Sequence, residues 1–254
     1  MAIIINGTAG NDTLVGFNPG DPANPDGIET INGFDGDDTL RYDGSVTPVV
    51  VDLGTGQGTS GDAQGDVLVN IENVIGTIAT DFLTGNGAAN TLTGGAGNDT
   101  LSGADGADTL FGGSDDDSLS GGAGADDLQG GGGVDTVTYL GGGAGVQVDL
   151  QSGTGTGGDA QGDTLDDIEN LAGSSFNDQL RGDGDANGLS GGDGDDTLIG
   201  AAGADGLDGG AGVSVDLGTG SGSGGEAAGD TLTTIENLAG SATTCWAATA
   251  EPMA

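Results

Sequence analysis

Histidine and lysine are both missing from this chain of 254 residues, and arginine occurs only as Arg41 and Arg181. Without an imidazole there is no Ser/His/Asp or Cys/His nucleophile system and no HExxH zinc site. Two cations face 41 Asp and Glu residues, for a net charge of −39. Such a chain cannot neutralise phosphates, so nucleic acid and anionic membrane surfaces are excluded as partners, and its field gathers cations instead. The one cysteine, Cys245, closes no internal disulfide. The longest apolar runs are about four residues, against the roughly 20 that a membrane span needs, so no membrane insertion is expected. The opening MAIIINGTAGND has neither the positive start nor the apolar stretch of a cleaved secretory signal. Aromatics are 3% of the chain, while 59 glycines and 5 prolines supply a quarter of it. By composition alone, such a chain buries too little apolar surface to offset its ordering entropy. Folding then needs a contribution from outside the chain.

What the chain does have is a period of nine. From Gly76 to Thr138, seven nonapeptides follow without a gap: GTIATDFLT, GNGAANTLT, GGAGNDTLS, GADGADTLF, GGSDDDSLS, GGAGADDLQ and GGGGVDTVT. Position 1 is always glycine. Position 6 reads Asp81, Asn90, Asp99, Asp108, Asp117, Asp126, Asp135, and position 8 reads Leu83, Leu92, Leu101, Leu110, Leu119, Leu128, Val137. Four more, from Gly173 to Asp208, put Asp178, Asn187, Asp196 and Asp205 at position 6 with leucine at position 8. Near the start, GTAGNDTLV and GFDGDDTLR contribute Asp12 and Asp38, and residues 24–32 fit loosely through Glu29 and Ile31. The Pro-rich FNPGDPANPDG between them reads as a surface loop.

A longer unit recurs at 49–76, 146–173 and 213–240, opening on Val-x-Val-Asp-Leu and closing on Ile-Glu-Asn. Its Glu72, Glu169 and Glu236 fall at position 6, so it is expected to join the same stack. Its Gly/Thr-rich middle, with Asp62, Asp66, Asp159 and Asp163, is expected to bulge as a loop. The chain divides into partial repeats (1–48), a first long unit (49–75), the central block (76–138), a bridge and second long unit (139–172), a third block (173–212), a third long unit (213–240) and a tail (241–254). Before the third long unit the bridge is missing, as if 12 residues were deleted. In the tail Cys245 and Ala247 stand where Asp and Leu are due, which reads as a truncated or frame-shifted end.

The spacing predicts an all-β parallel β-solenoid. Each nonapeptide gives a turn and a three-residue strand, and two complete a coil of eighteen. The middle residue of TLT or TLS points opposite to its neighbours, so every position 8 faces inward. Coils lie roughly 4.7 to 4.9 Å apart, which lines up residues eighteen apart along the edge of the stack. Rows of exposed carboxylates there repel one another. A calcium ion reverses the sign, because Ca–O bonds of roughly 2.3 to 2.6 Å place it midway between oxygens about 5 Å apart. Glycines at positions 1, 2 and 4 free backbone carbonyls to complete the shell.

These nonapeptides resemble the GGxGxDxUx repeats of RTX, or haemolysin-type, calcium-binding proteins, a motif associated with a calcium-binding parallel β-roll. The expected ligands are Asp12, Asp38, Asp81, Asp99, Asp105, Asp108, Asp117, Asp126, Asp135, Asp178, Asp196 and Asp205. With them go Gly94, Gly95, Gly97, Gly103, Gly112, Gly113, Gly121, Gly122, Gly124, Gly191, Gly192 and Gly194. Weaker binding is expected at Asn90 and Asn187 and in GTIATDFLT and GSSFNDQLR, which lack the second and fourth glycines. The resemblance implies several Ca²⁺ ions and export from a bacterium by a type I secretion system.

No enzyme is expected: neighbouring carboxylates such as Asp115 and Asp117 lack the asymmetric environments that separate an acid from a base, and no nucleophile or oxyanion donor accompanies them. Tyr42, Tyr139 and Trp246 are too scattered for a carbohydrate platform. Outward positions 7 and 9 give a hydroxyl array, Thr100, Ser102, Ser118, Ser120, Thr136 and Thr138, which suits either plain strand preference or an ice- or matrix-binding face. The expectation is an extracellular structural or interaction module that folds on calcium, with a cell-surface or matrix component as candidate partner. The alternative is the C-terminal repeat region of a larger secreted enzyme or adhesin.

Overall fold

A computed structural model describes residues 3–16 and 28–209, together with the strands Ser214–Asp216, Thr231–Thr233 and Asn237–Ala239. The Pro-rich insertion, most of the third long unit and the tail with Cys245 and Trp246 lie outside the described residues. Outside the long units successive strands go to opposite sheets, each of thirteen strands among the described residues. Thr91–Ala96 pairs in parallel with Thr109–Ser114, and Thr100–Asp105 with Ser118–Ala123, in registers Leu92↔Leu110 and Leu101↔Leu119. Two nonapeptides thus make one coil, and the nine-residue period sets the pairing. Between the sheets runs a single file of position-8 side chains, Leu83 to Leu128 and Val137, each at most 1% exposed. Among the described residues no helix is long and apolar enough to cross a membrane.

In the central block five strands run to six residues rather than three, from Thr91–Ala96 to Asp127–Gly132. Their glycine positions pair with the turn of the next coil, Gly95↔Gly113 and Ala104↔Gly122, so the turns themselves carry the ladder onward.

The long units join the stack through Val74 and Leu171, both buried, but their middles are not loops. Gln57–Ser60 is a strand, antiparallel to Val50–Asp52 on one side and Val67–Val69 on the other. Thr154–Thr156 repeats this between Gln147–Asp149 and Thr164–Asp166. The strand escapes a hydrophobicity reading because its inward residue is glycine: Gly58 is buried, and a Cβ there would strike the Ala63 carbonyl. A short 3₁₀ turn after it, Gly61–Ala63 or Gly158–Ala160, delivers Ala63 or Ala160 to the core in its place. The first three-strand meander lies in one sheet and the second in the other.

Each meander is tied by a tyrosine. Tyr42 donates its hydroxyl to Asp66 Oδ2 (2.9 Å) and Tyr139 to Asp163 Oδ2 (3.1 Å), all four residues being buried. The other oxygens, Asp66 Oδ1 and Asp163 Oδ1, accept the backbone N–H of Glu29 (2.9 Å) and Asp126 (3.0 Å). Burial beside the carboxylate pushes both phenols well above their usual range. The two tyrosines stand at the same offset ahead of their units, which is the signal that makes them structural rather than scattered. Ahead of the third unit the bridge that would carry such a tyrosine is missing. There Thr231–Thr233 pairs directly with Gly206–Asp208, and Asn237–Ala239 with Ser214–Asp216, all in parallel, as in ordinary coils. Tyr139→Phe leaves a buried carboxylate oxygen without its donor and is expected to cost about 1–3 kcal/mol, read from the urea midpoint.

Candidate metal centre

Position 6 sits where the turn feeds into the strand, and its side chain lies inside the stack rather than on an exposed edge. Asp81, Asp99, Asp108, Asp117, Asp126, Asp135, Asp178, Asp196 and Asp205 are all buried, which corrects the expectation of rows exposed on the turns. The reason is a backbone donor. Asp99 Oδ1 accepts the N–H of Asp81 (2.7 Å), Asp117 Oδ1 that of Asp99 (2.7 Å), and Asp135 Oδ1 that of Asp117 (2.7 Å). On the other edge Asp108 serves Asn90 (2.7 Å) and Asp126 serves Asp108 (2.8 Å). Each coil therefore binds the coil before it through a carboxylate. The Ile-Glu-Asn units continue the rows, with Glu72 accepting from Asp38 (2.8 Å) and Glu169 from Asp135 (2.7 Å). Asp38 and Asp196 do the same for Asp12 (2.8 Å) and Asp178 (2.8 Å).

The second oxygen separates the turns. In Asp38, Asp99, Asp108, Asp117, Asp126, Asp135 and Asp196, Oδ2 is buried and has no hydrogen-bond partner. A buried carboxylate oxygen left unpaired is costly. Asp99 is pushed up to about 7 and Asp108 and Asp117 to about 6, first by burial and then by the neighbouring acids, against the opposing backbone bonds. Asp126, Asp135 and Asp196 are raised for the same first reason.

The surroundings of these oxygens suit a calcium ion. Position-1 glycines leave the space: a Cβ on Gly94, Gly103 or Gly112 would strike Oδ2 of Asp99, Asp108 or Asp117, and the same point lies 2.6–2.7 Å from the carbonyl oxygen of Gly112, Gly121 or Gly130 in the next coil. Gly121 and Gly191 press in the same way on Asp126 and Asp196. Gly95, Gly113, Gly122 and Gly192 at position 2 are left-handed and packed on the carbonyl of the coil before. At position 4 Gly97 and Gly194 are also left-handed, and a Cβ on Gly124 would strike the Gly106 carbonyl. Among the described residues no three acidic side chains converge into one cluster. A shell here would combine carboxylates with backbone carbonyls, the all-oxygen mixture calcium takes and zinc does not.

Some expected ligands stand apart. Asp105 is exposed at the end of its strand. Asp12, Asp81 and Asp178 have Oδ2 already occupied, by the N–H groups of Thr8 (2.5 Å), Thr77 (2.5 Å) and Ser174 (2.6 Å). Asn90 and Asn187 accept from Asn86 (2.7 Å) and Asp183 (2.9 Å) and donate to the carbonyls of Glu72 and Glu169. Asparagine is thus the fitting residue in the coil stacked on each Ile-Glu-Asn glutamate.

These features define a parallel β-roll whose glycine turns carry buried carboxylates between coils. The family model of the RTX calcium-binding nonapeptide repeat, in four copies, matches residues 4–18, 75–110, 102–137, 163–198 and 187–215. That is more than half of the chain, which therefore belongs to this family and is a calcium-binding repeat protein. No curated protein matches the chain.

The raised carboxylates give a pH dependence with a definite sign. A folded-state value above the unfolded one means that the folded chain holds protons which the unfolded chain releases. In calcium-depleted buffer, stability is expected to fall as pH rises from about 4 to about 7, the window set by Asp99, and then to level off. Thermal melts at pH 5 and pH 8 check this; a higher melting temperature at pH 8 contradicts it.

Proposed function

We propose that this chain is a secreted, non-catalytic bacterial module whose β-roll completes its folding when several Ca²⁺ ions enter the glycine turns outside the cell. The observation that carries the reading is the row of buried carboxylate oxygens without partners, which at Asp99, Asp108, Asp117 and Asp135 lie beside carbonyls of the next coil. Asp99, Asp108, Asp117, Asp126, Asp135 and Asp196 would hold the ions, with carbonyls of the glycine positions. Bound calcium would supply charge neutralisation at these buried oxygens. Affinities of roughly 10⁻⁴ to 10⁻³ M, usual for extracellular modules, would keep the chain incompletely folded in a low-calcium cytoplasm and complete it after type I export.

Far-UV circular dichroism during a Ca²⁺ titration, with Mg²⁺ as control, tests the reading. A cooperative gain of β signal specific to Ca²⁺ is expected; a full β signal in calcium-depleted buffer that calcium leaves unchanged overturns it.

A second reading concerns the partner. Thr100, Ser118 and Thr136 pair in register across three coils, giving a hydroxyl row on one outer face. If that row binds ice, calcium-loaded protein slows ice recrystallisation; no effect at high concentration removes this reading.

A further inference from the structure

The turns fall into two kinds, and backbone conformation at position 2 divides them. In the turns of Asp38, Asp99, Asp108, Asp117, Asp126, Asp135 and Asp196, position 2 is left-handed: Phe34 (φ 75°), Gly95 (121°), Ala104 (82°), Gly113 (122°), Gly122 (95°), Gly131 (105°) and Gly192 (95°). In each of these seven, Oδ2 has no partner. In the turns of Asp12, Asp81, Asn90, Asp178 and Asn187, position 2 is Thr8, Thr77, Asn86, Ser174 or Asp183, and none of these is left-handed. There the N–H of position 2 reaches the position-6 oxygen of its own repeat. The angle φ sets where the N–H points relative to the residues that follow, so a change of sign swings the donor off the carboxylate. Hydroxyls reinforce the closed form, with Thr77 Oγ1 donating to Asp81 (3.1 Å) and Ser174 Oγ to Asp178 (2.9 Å).

Placement matters as much as number. Asp81 and Asn90 are the first two turns after the first long unit, and Asp178 and Asn187 the first two after the second. Each pair is bonded back to its unit. Val49 donates to Asp81 Oδ1 (2.7 Å) and Val146 to Asp178 Oδ1 (2.7 Å), while Asn90 and Asn187 bind the Glu72 and Glu169 carbonyls. With the Tyr42–Asp66 and Tyr139–Asp163 ties, Asp66, Asp81, Asp163 and Asp178 all have protein donors.

We infer that residues 49–93 and 146–190 are calcium-independent seeds that take no ion in their closed turns and hold the calcium-dependent turns of 94–135 between them. In a stack where each repeat touches only its neighbours, such ends offer a finished strand edge on which calcium-loaded coils add one after another. The inference rests on the calcium reading above and adds which turns bind and which do not.

Amide hydrogen exchange on the full chain in calcium-depleted buffer tests it without any mutation. Peptides from 49–93 and 146–190 are expected to exchange at least about tenfold more slowly than those from 94–135, a difference that calcium abolishes by protecting the centre. Equal exchange in the seeds and the centre overturns the inference. Ion counting by native mass spectrometry gives a second readout: Asp117→Asn is expected to lose bound calcium, and Asp178→Asn to keep the full count. Equal losses overturn the two-class division while leaving calcium binding intact. Absence of bound calcium from the unmodified chain overturns the functional reading itself, and this inference with it.

Discussion

Gly124→Val is expected to abolish the calcium-induced β transition of the central block. A Cβ at this position would fall on the Gly106 carbonyl oxygen of the coil before, and backbone meets it there rather than a side chain that could move aside. Two coils at strand spacing have no slack, so the stack must part or the turn must rebuild. The cost is expected to exceed about 4 kcal/mol, within the range reserved for large backbone and overpacking defects. Gly132→Val is the control. Gly132 is exposed, with nothing within 4 Å of its would-be Cβ and no left-handed φ, and its variant is expected to keep the transition. A wild-type calcium midpoint in Gly124→Val would mean that the coils are not stacked as described.

The second large effect belongs to the core. Leu119→Ala is expected to lower the stability of the calcium-saturated protein by about 2–5 kcal/mol, read from chemical unfolding. Leu119 is fully buried and pairs in register with Leu101 and Val137. The core is one side chain wide, and the backbone ladders on either side hold the coil spacing, so the cavity has little chance to collapse. Ser120→Ala, at the next residue on the outer face, is expected to change stability by less than about 0.5 kcal/mol. If both variants cost the same, position 8 is not the inward one.

The nine-residue period carried the architecture because it is phase-locked: glycine, carboxylate and leucine recur at fixed offsets, and the strand alternation then leaves only Leu92, Leu101 and their equivalents to face inward. The same legibility did not extend to Gln57–Ser60, whose inward Gly58 adds no apolar signal, nor to Tyr42 and Tyr139, whose partners lie 24 residues on, in segments read as loops. The direction of the carboxylates was hidden for a different reason. Nothing in the residue types says that an aspartate will turn inward to take a backbone N–H from the previous coil, because that bond exists only once the coils are stacked. The split into open and closed turns is partly legible: glycine at position 2 marks an open turn and Thr, Ser or Asn a closed one. Ala104 and Phe34 defeat the rule, since each is left-handed against the preference of its residue type.

The two meanders have a geometric consequence for the molecule as a whole. Each adds two strands to one sheet and none to the sheet facing it, which lengthens that side by about 10 Å at the usual interstrand spacing. A single such insertion is a keystone: it opens the stack into a wedge and bends the axis towards the shorter sheet. The second insertion is a keystone set in the opposite wall, and it turns the axis back. The coils between the two are then expected on an oblique middle segment flanked by arms that run in a common direction, a profile that small-angle X-ray scattering of the calcium-loaded protein checks. Deleting either long unit alone would leave a bent rod, while deleting both would leave a straight one.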